Sequence, residues 1–100
     1  MTLKKLQDDV DQWIRATPSG YFQPLTNLGI LTEETGELAR ILVRKYGEQR
    51  SKPGETDEHL ADEMADILWV LTALANQCGV NLEDAVAKNF EKKNKRDLRP

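Results

Sequence analysis

Ile67-Leu68-Trp69-Val70-Leu71-Thr72-Ala73-Leu74-Ala75 is apolar nearly all the way round a helical wheel. Most surface helices bury one stripe and leave the opposite face wet. A helix without a wet face must be covered from several sides. The flanking residues extend the same period: Leu60, Met64, Ile67, Val70, Leu71 and Leu74 share one arc. The spacing predicts a third helix from Asp57 or Glu58 to Gly79, the glycine acting as the C-terminal stop.

Working outward, the same period recurs on both sides. Leu3, Leu6, Val10, Trp13 and Ile14 form one face of a first helix, about Thr2 to Thr17, with Thr2 as N-cap and Pro18-Ser19-Gly20 as the break. Leu28, Leu31, Leu38, Ile41 and Leu42 line a second helix from Pro24, a residue suited to the first turn, to Tyr46, with Gly47 as its stop. The polar stretch Glu48–Glu55, with Pro53-Gly54, reads as a mobile loop. Asn81 caps a fourth helix, supported by Asp84 in its first turn. That helix carries Leu82, Ala85, Val86 and Phe90 and fades into Lys92-Lys93-Asn94-Lys95-Arg96. The expected fold is all-α: a four-helix bundle that completes its core by oligomerisation, since three other helices need not suffice to cover the third; a central helix in a monomeric bundle is the alternative.

One hundred residues make one domain. With 39% apolar and 31% charged residues the chain reads as soluble and globular. A net charge of -3 gives no basis for nucleic-acid binding through bulk charge. No apolar run is long enough to span a membrane, and no apolar signal segment follows the first lysines, so a cytoplasmic location is the default. The single cysteine, Cys78, sits in an apolar run and reads as a core residue. The single histidine, His59, reads as a surface residue, and gives no support to a His-rich zinc site or a His-based triad. A di-iron carboxylate protein is disfavoured too, since no histidine stands three residues after a glutamate.

The functional signal is acid in the wrong place. On the second helix Glu34 falls inside the apolar arc and Glu37 at its margin. On the third, Glu63 falls between Val70 and Leu74, with Asp66 at the margin. Acids at i and i+3 are neighbours on a helix surface. Packing the two helices together would converge four carboxylates, and burying even one unpaired carboxylate costs several kcal/mol. A hard divalent cation relieves that cost directly; protonation, or pairing with Arg40, Arg44 or Lys45, would relieve it in part. Gly36, in mid-helix, leaves room for a close approach or is simply a weak point. Glu33, Glu48, Glu58 and Glu83 read as solvated acids.

Glu33-Glu34-Thr35-Gly36-Glu37, 25 residues, then Glu63-Met64-Ala65-Asp66 resembles the signature of the MazG-like nucleotide pyrophosphohydrolases. The surroundings agree: Leu31-Thr32 before, Leu38-Ala39 after, Ile67-Leu68-Trp69-Val70-Leu71 beyond the aspartate, and Tyr21-Phe22-Gln23-Pro24-Leu25 upstream. The likeness runs from about Val10 to Arg96.

This resemblance implies an all-α fold that assembles as a homodimer or homotetramer. It implies hydrolysis of a nucleoside triphosphate to monophosphate and pyrophosphate, with Mg2+ (or Mn2+) as cofactor. Glu34, Glu37, Glu63 and Asp66 match the metal ligands, and Glu33 the extra glutamate, a candidate general base. One ion or two are compatible with the spacing. Tyr21 and Phe22 are candidates to stack the base, whereas Trp13 is expected in the core. In the last helix, where many relatives carry a lysine and then an asparagine, this chain has Asn89 and Lys93. With Lys92 and Arg96 these are the substrate-binding candidates. Arg44 stands where some dCTP-preferring relatives have an aromatic, so a cytosine preference is not implied. Two alternatives are a phosphoribosyl-ATP pyrophosphohydrolase and a non-catalytic helical oligomer that binds metal or nucleotide.

Overall fold

In the computed structural model the chain forms four helices: α1 (Leu3–Ala16), α2 (Pro24–Tyr46), α3 (Asp57–Cys78) and α4 (Leu82–Arg96). The structure describes residues 1–47 and 57–96, the side chains of Asp57 and Glu58 excepted. The expected loop over 48–55 and the solvated readings of Glu48 and Glu58 lie outside the described residues. Among the described residues there is no strand, and no helix is long and apolar enough to cross a membrane.

The helix ends follow their local chemistry. The Thr2 hydroxyl accepts from Lys5 N–H at 3.0 Å, and Asn81 Oδ1 accepts from Asp84 N–H at 3.1 Å, each satisfying an orphan donor of a first turn. Pro24 opens α2. Gly79 ends α3 with φ +69, a left-handed conformation that favours glycine. Gly47 ends α2 for another reason. Its φ is -100, open to any residue, but a Cβ there would sit 2.3 Å from the Val43 carbonyl oxygen. Glu83, read as solvated, accepts from Lys4 N–H at 2.9 Å and so caps α1 from the start of α4.

Both α1 and α2 pack against α3, while α4 packs against α1. Pairs such as Gln7 with Asn76, Trp13 with Trp69 and Asn27 with Gln77 fix α1 and α2 antiparallel to α3. The apolar core is small: Val10, Ile14 and Ala73, with Leu6 and Tyr21 packed against it. Beside it runs a polar lock. Gln7, 7% exposed, donates to Asn76 Oδ1 (3.0 Å) and the Val80 carbonyl (2.8 Å), and accepts from Leu82 N–H (2.8 Å). Asn76 donates in return to the Gln7 carbonyl (3.0 Å) and to the Tyr21 hydroxyl (3.1 Å). One amide thus joins α1, α3 and the first turn of α4.

Two expectations fail. Cys78 is exposed, because it falls on the last turn of α3, beyond the reach of the core. Trp13 is 60% exposed. It lies at the margin of the α1 stripe, where Val10 and Ile14 take the buried positions, and its ring meets Trp69 edge-on at 5.2 Å between centroids and 87° between planes. Met64, Leu68, Trp69 and Leu71 of α3 remain exposed, as do Leu25 and Leu28 of α2, and no residue of α4 is buried.

Candidate active site

Across the antiparallel α2–α3 pair, Glu34, Glu63 and Asp66 each bring a carboxylate oxygen within 4.8 Å of the others. All three are half-buried. Glu63 Oε2 is fully enclosed and has no hydrogen-bond partner. In a folded protein such an atom marks a missing ligand or proton. The Glu63 carboxyl is pushed up from 4.5 to about 7, first by its hydrogen-bonding approach to Glu34, then by burial and by the charges of Glu34, Asp66 and Glu37. Asp66 is raised as well, chiefly by burial and then by Asp62 and Glu34. The arrangement disfavours its own negative charge.

Glu37 stands slightly apart. It is near enough to act on Glu63, yet its carboxylate is held by the Arg40 guanidinium at 2.5 Å. The expected four-acid convergence is therefore three acids plus one engaged by an arginine three residues on. Helical angles favour Arg44 as the cation nearest Glu37, but the long Arg40 side chain spans the offset. Glu33 is exposed and outside the cluster. His59 is exposed, as expected. Gly36 faces open space, with nothing within 4 Å of a Cβ built there, so the close approach considered for it is not made among the described residues.

Next to the acids lies a cavity of about 350 Å³ between the α1–α2 connection and α3, walled by Trp13, Tyr21, Phe22 and Trp69, with Asn27 and Ile30 from α2. Ile30 is one turn before Glu34 and Val70, also lining it, one turn after Asp66, so the cavity lies one helical turn from the acids along both helices. Tyr21 is fixed in place: its hydroxyl donates to Asp11 Oδ1 at 2.6 Å, and Arg15 both pairs with Asp11 and lies 5.6 Å over the ring. Burial, then the Asp11 contact, raises the Tyr21 phenol, while that hydroxyl and then Arg15 lower Asp11. Phe22 is half open to solvent at the rim.

Asn89, Lys92, Lys93 and Arg96 are not brought here. They lie exposed along α4, which packs against α1 and not along the acid groove. Asn89 and Lys93 instead flank exposed Val86 and Phe90 on the open surface of α4. The residues sequence reasoning missed are Gln7, Asn27, Asn76 and Gln77. The wheel would have given only a weak sign of the first: Gln7 falls at the margin of the apolar stripe of α1, just beyond Ile14.

Fold and site define an all-α protein in which acids from two antiparallel helices face one another beside an aromatic-walled pocket. A family model described as the MazG nucleotide pyrophosphohydrolase domain matches residues 22–99, and this chain belongs to that family, whose members are hydrolases that typically depend on a divalent metal. The chain is 43% identical over 96 residues to the uncharacterized protein YpjD of Bacillus subtilis (strain 168), covering 96% of this chain and 86% of the relative. It is 34% identical over 99 residues to the uncharacterized protein YvdC of the same organism, covering 88% and 92%. Among solved structures it resembles the crystal structure of YPJD from Bacillus subtilis, with TM-score 0.85, 41% identity and 94% and 96% of the two chains covered. It also resembles the crystal structure of the Bacillus-conserved MazG protein, a nucleotide pyrophosphohydrolase, with TM-score 0.80, 38% identity and 97% and 94% covered.

Proposed function

We propose that the protein hydrolyses nucleoside triphosphates, (d)NTP and water giving (d)NMP and pyrophosphate, with Mg2+ or Mn2+ held by Glu34, Glu63 and Asp66 and by Glu37 once it leaves Arg40. The observation that carries this reading is the enclosed, unpartnered Glu63 Oε2 amid three converging carboxylates. An all-oxygen, anionic donor set suits a hard divalent cation, so the residues present fit the ion the family implies. When bound, the metal neutralises charge on the phosphates of the substrate. The chain's own residues do the rest. The aromatic cavity receives the base, with Tyr21 and Phe22 beside it, while the acids one helical turn away would hold the ion on the phosphate side. Glu33 is the acid left outside the cluster and takes the proton from the attacking water.

The assembly we propose is a homodimer or homotetramer in the cytoplasm, serving the nucleotide pool. Exposed Leu25, Leu28, Met64, Leu71, Val86 and Phe90 support it. So does a radius of gyration of 16.5 Å, against about 13 Å for a compact chain of this length. In such an assembly Asn89, Lys92, Lys93 and Arg96 reach a phosphate only across a subunit boundary. Sedimentation at micromolar concentration should give a dimer or larger species; a strict monomer removes this part.

The reaction is tested by measuring pyrophosphate release from a panel of NTPs and dNTPs with Mg2+, Mn2+ or EDTA. Metal-dependent release with monophosphate as co-product is expected. Release from phosphoribosyl-ATP alone would favour that alternative, and binding without release from any of them a non-catalytic nucleotide binder.

A further inference from the structure

Asn27 is the one strongly buried polar side chain lining the aromatic cavity, 6% exposed. Its amide orientation follows from a chain of contacts. Gln77 Nε2 donates at 2.6 Å to the Phe22 carbonyl, which can only accept. That turns Gln77 Oε1 toward Asn27, and Oε1 accepts from Asn27 Nδ2 at 2.9 Å. Asn27 Oδ1 is left with no donor among the described residues, and one Nδ2–H is left over beside it. Among the described residues Glu63 Oε2 is the one fully enclosed side-chain atom without a partner, so Asn27 Oδ1 opens on the cavity that its residue lines, where a ligand can complete it.

We propose that Asn27 is the specificity-determining residue of the pocket. Its Oδ1 accepts from an N–H on the edge of the nucleobase, and the spare Nδ2–H donates to the neighbouring base acceptor. Gln77 is the positioning residue that holds this orientation, anchored to the backbone of the pocket rim. The inference rests on the pyrophosphohydrolase reading for its ligand class; every base edge carries a donor beside an acceptor, so the amide, its orientation fixed, selects by their order and separates amino-bearing from oxo-bearing bases, as bidentate side chains read base edges elsewhere. The aromatic walls supply sequence-tolerant stacking, so discrimination falls to the amide. A base lacking the donor leaves the amide unpaired and is rejected.

The test compares the wild-type chain with Asn27→Leu and Gln77→Met on the four dNTPs and on the analogue of dATP with unsubstituted purine. Asn27→Leu should raise KM for the best substrate roughly 10- to 100-fold, level the preference among bases, and leave kcat within about threefold. Gln77→Met frees the amide to turn and should give a smaller loss in the same direction. A purely structural role would lower the melting temperature without levelling the preference. A second readout needs no turnover. The chain's two tryptophans, Trp13 and Trp69, both wall the cavity, so quenching of their fluorescence by deoxynucleoside monophosphates in EDTA reports base binding directly. Unchanged base preference or unchanged quenching in Asn27→Leu overturns the proposal, as does the absence of quenching in the wild type. If no triphosphate is hydrolysed, the reaction reading fails while the quenching series still decides Asn27.

Discussion

Replacing Glu63 by glutamine should make the metal-free protein more stable at pH 8 and not at pH 4.5. In the folded chain the Glu63 carboxyl is raised from 4.5 to about 7. A raised carboxyl binds its proton more tightly folded than unfolded. Its contribution to stability is therefore intact below about pH 4.5, is lost as pH rises toward 7, and stays lost above. Carboxylates paired with cations have the opposite slope. The full shift corresponds to an upper limit of about 3 kcal/mol. Only part of the group is enclosed, and solvent screening reduces the figure to roughly 1–2 kcal/mol. For a domain of this size each kcal/mol moves the melting temperature by about 4–8 °C. Glutamine keeps the shape, removes the charge and offers Glu34 an N–H in place of the proton. In EDTA at pH 8, Glu63→Gln should melt at least about 4 °C above wild type, and the gain should vanish at pH 4.5. Added Mg2+ or Mn2+ should then stabilise the wild type far more than the variant. Melting curves by circular dichroism at both pH values are the assay. An equal effect at pH 4.5 and pH 8, or a loss at pH 8 in EDTA, would refute the electrostatic reasoning.

Three further expectations test other parts. Glu37→Gln and Asp66→Asn should each lower pyrophosphate release by at least about 100-fold with the helical circular dichroism unchanged; full activity at wild-type metal dependence would remove these residues from the site. Arg40→Ala should tighten Mn2+ binding, followed by electron paramagnetic resonance, by roughly 2- to 5-fold, since a half-exposed ion pair of about 0.2–1 kcal/mol no longer competes for Glu37; unchanged or weaker binding would show that the pair does not compete. Gln7→Leu should cost about 2–4 kcal/mol in urea unfolding, because Asn76 Oδ1, the Val80 carbonyl and Leu82 N–H all lose their partner in a buried place; a cost within about 0.5 kcal/mol would mean that water replaces the amide.

Elements and acids were largely legible in the sequence, because both depend on local pattern. Period and caps predict four helices, and the observed Leu3–Ala16, Pro24–Tyr46, Asp57–Cys78 and Leu82–Arg96 follow them closely. Glu34 and Glu63 stood out as charges inside apolar arcs, with Asp66 at the margin of its own. What the pattern did not give depends on side-chain reach and on covering. A wheel angle places Arg44 nearer Glu37, but an arginine has length enough for Arg40 to arrive first. Apolar type suggested a core position for Trp13 and Cys78, yet covering depends on which neighbours exist, and among the described residues Trp69 covers Trp13 only from one edge while Cys78 stays exposed. The Asn27–Gln77 pair joins residues 50 apart, and no period within one helix can announce a hydrogen bond between two.

The Gln7 lock has a bearing on how this chain can change length. Its donors and acceptor grip Asn76, Val80 and Leu82 on either side of the short turn between α3 and α4. Adding one residue to that turn would change the spacing of Val80 and Leu82 and break their joint match to the glutamine. Insertions and deletions there should accordingly be rejected, although exposed turns usually accept them. Length variation would accumulate elsewhere, and any lineage that did resize this turn would have to exchange the residue at position 7 in the same step.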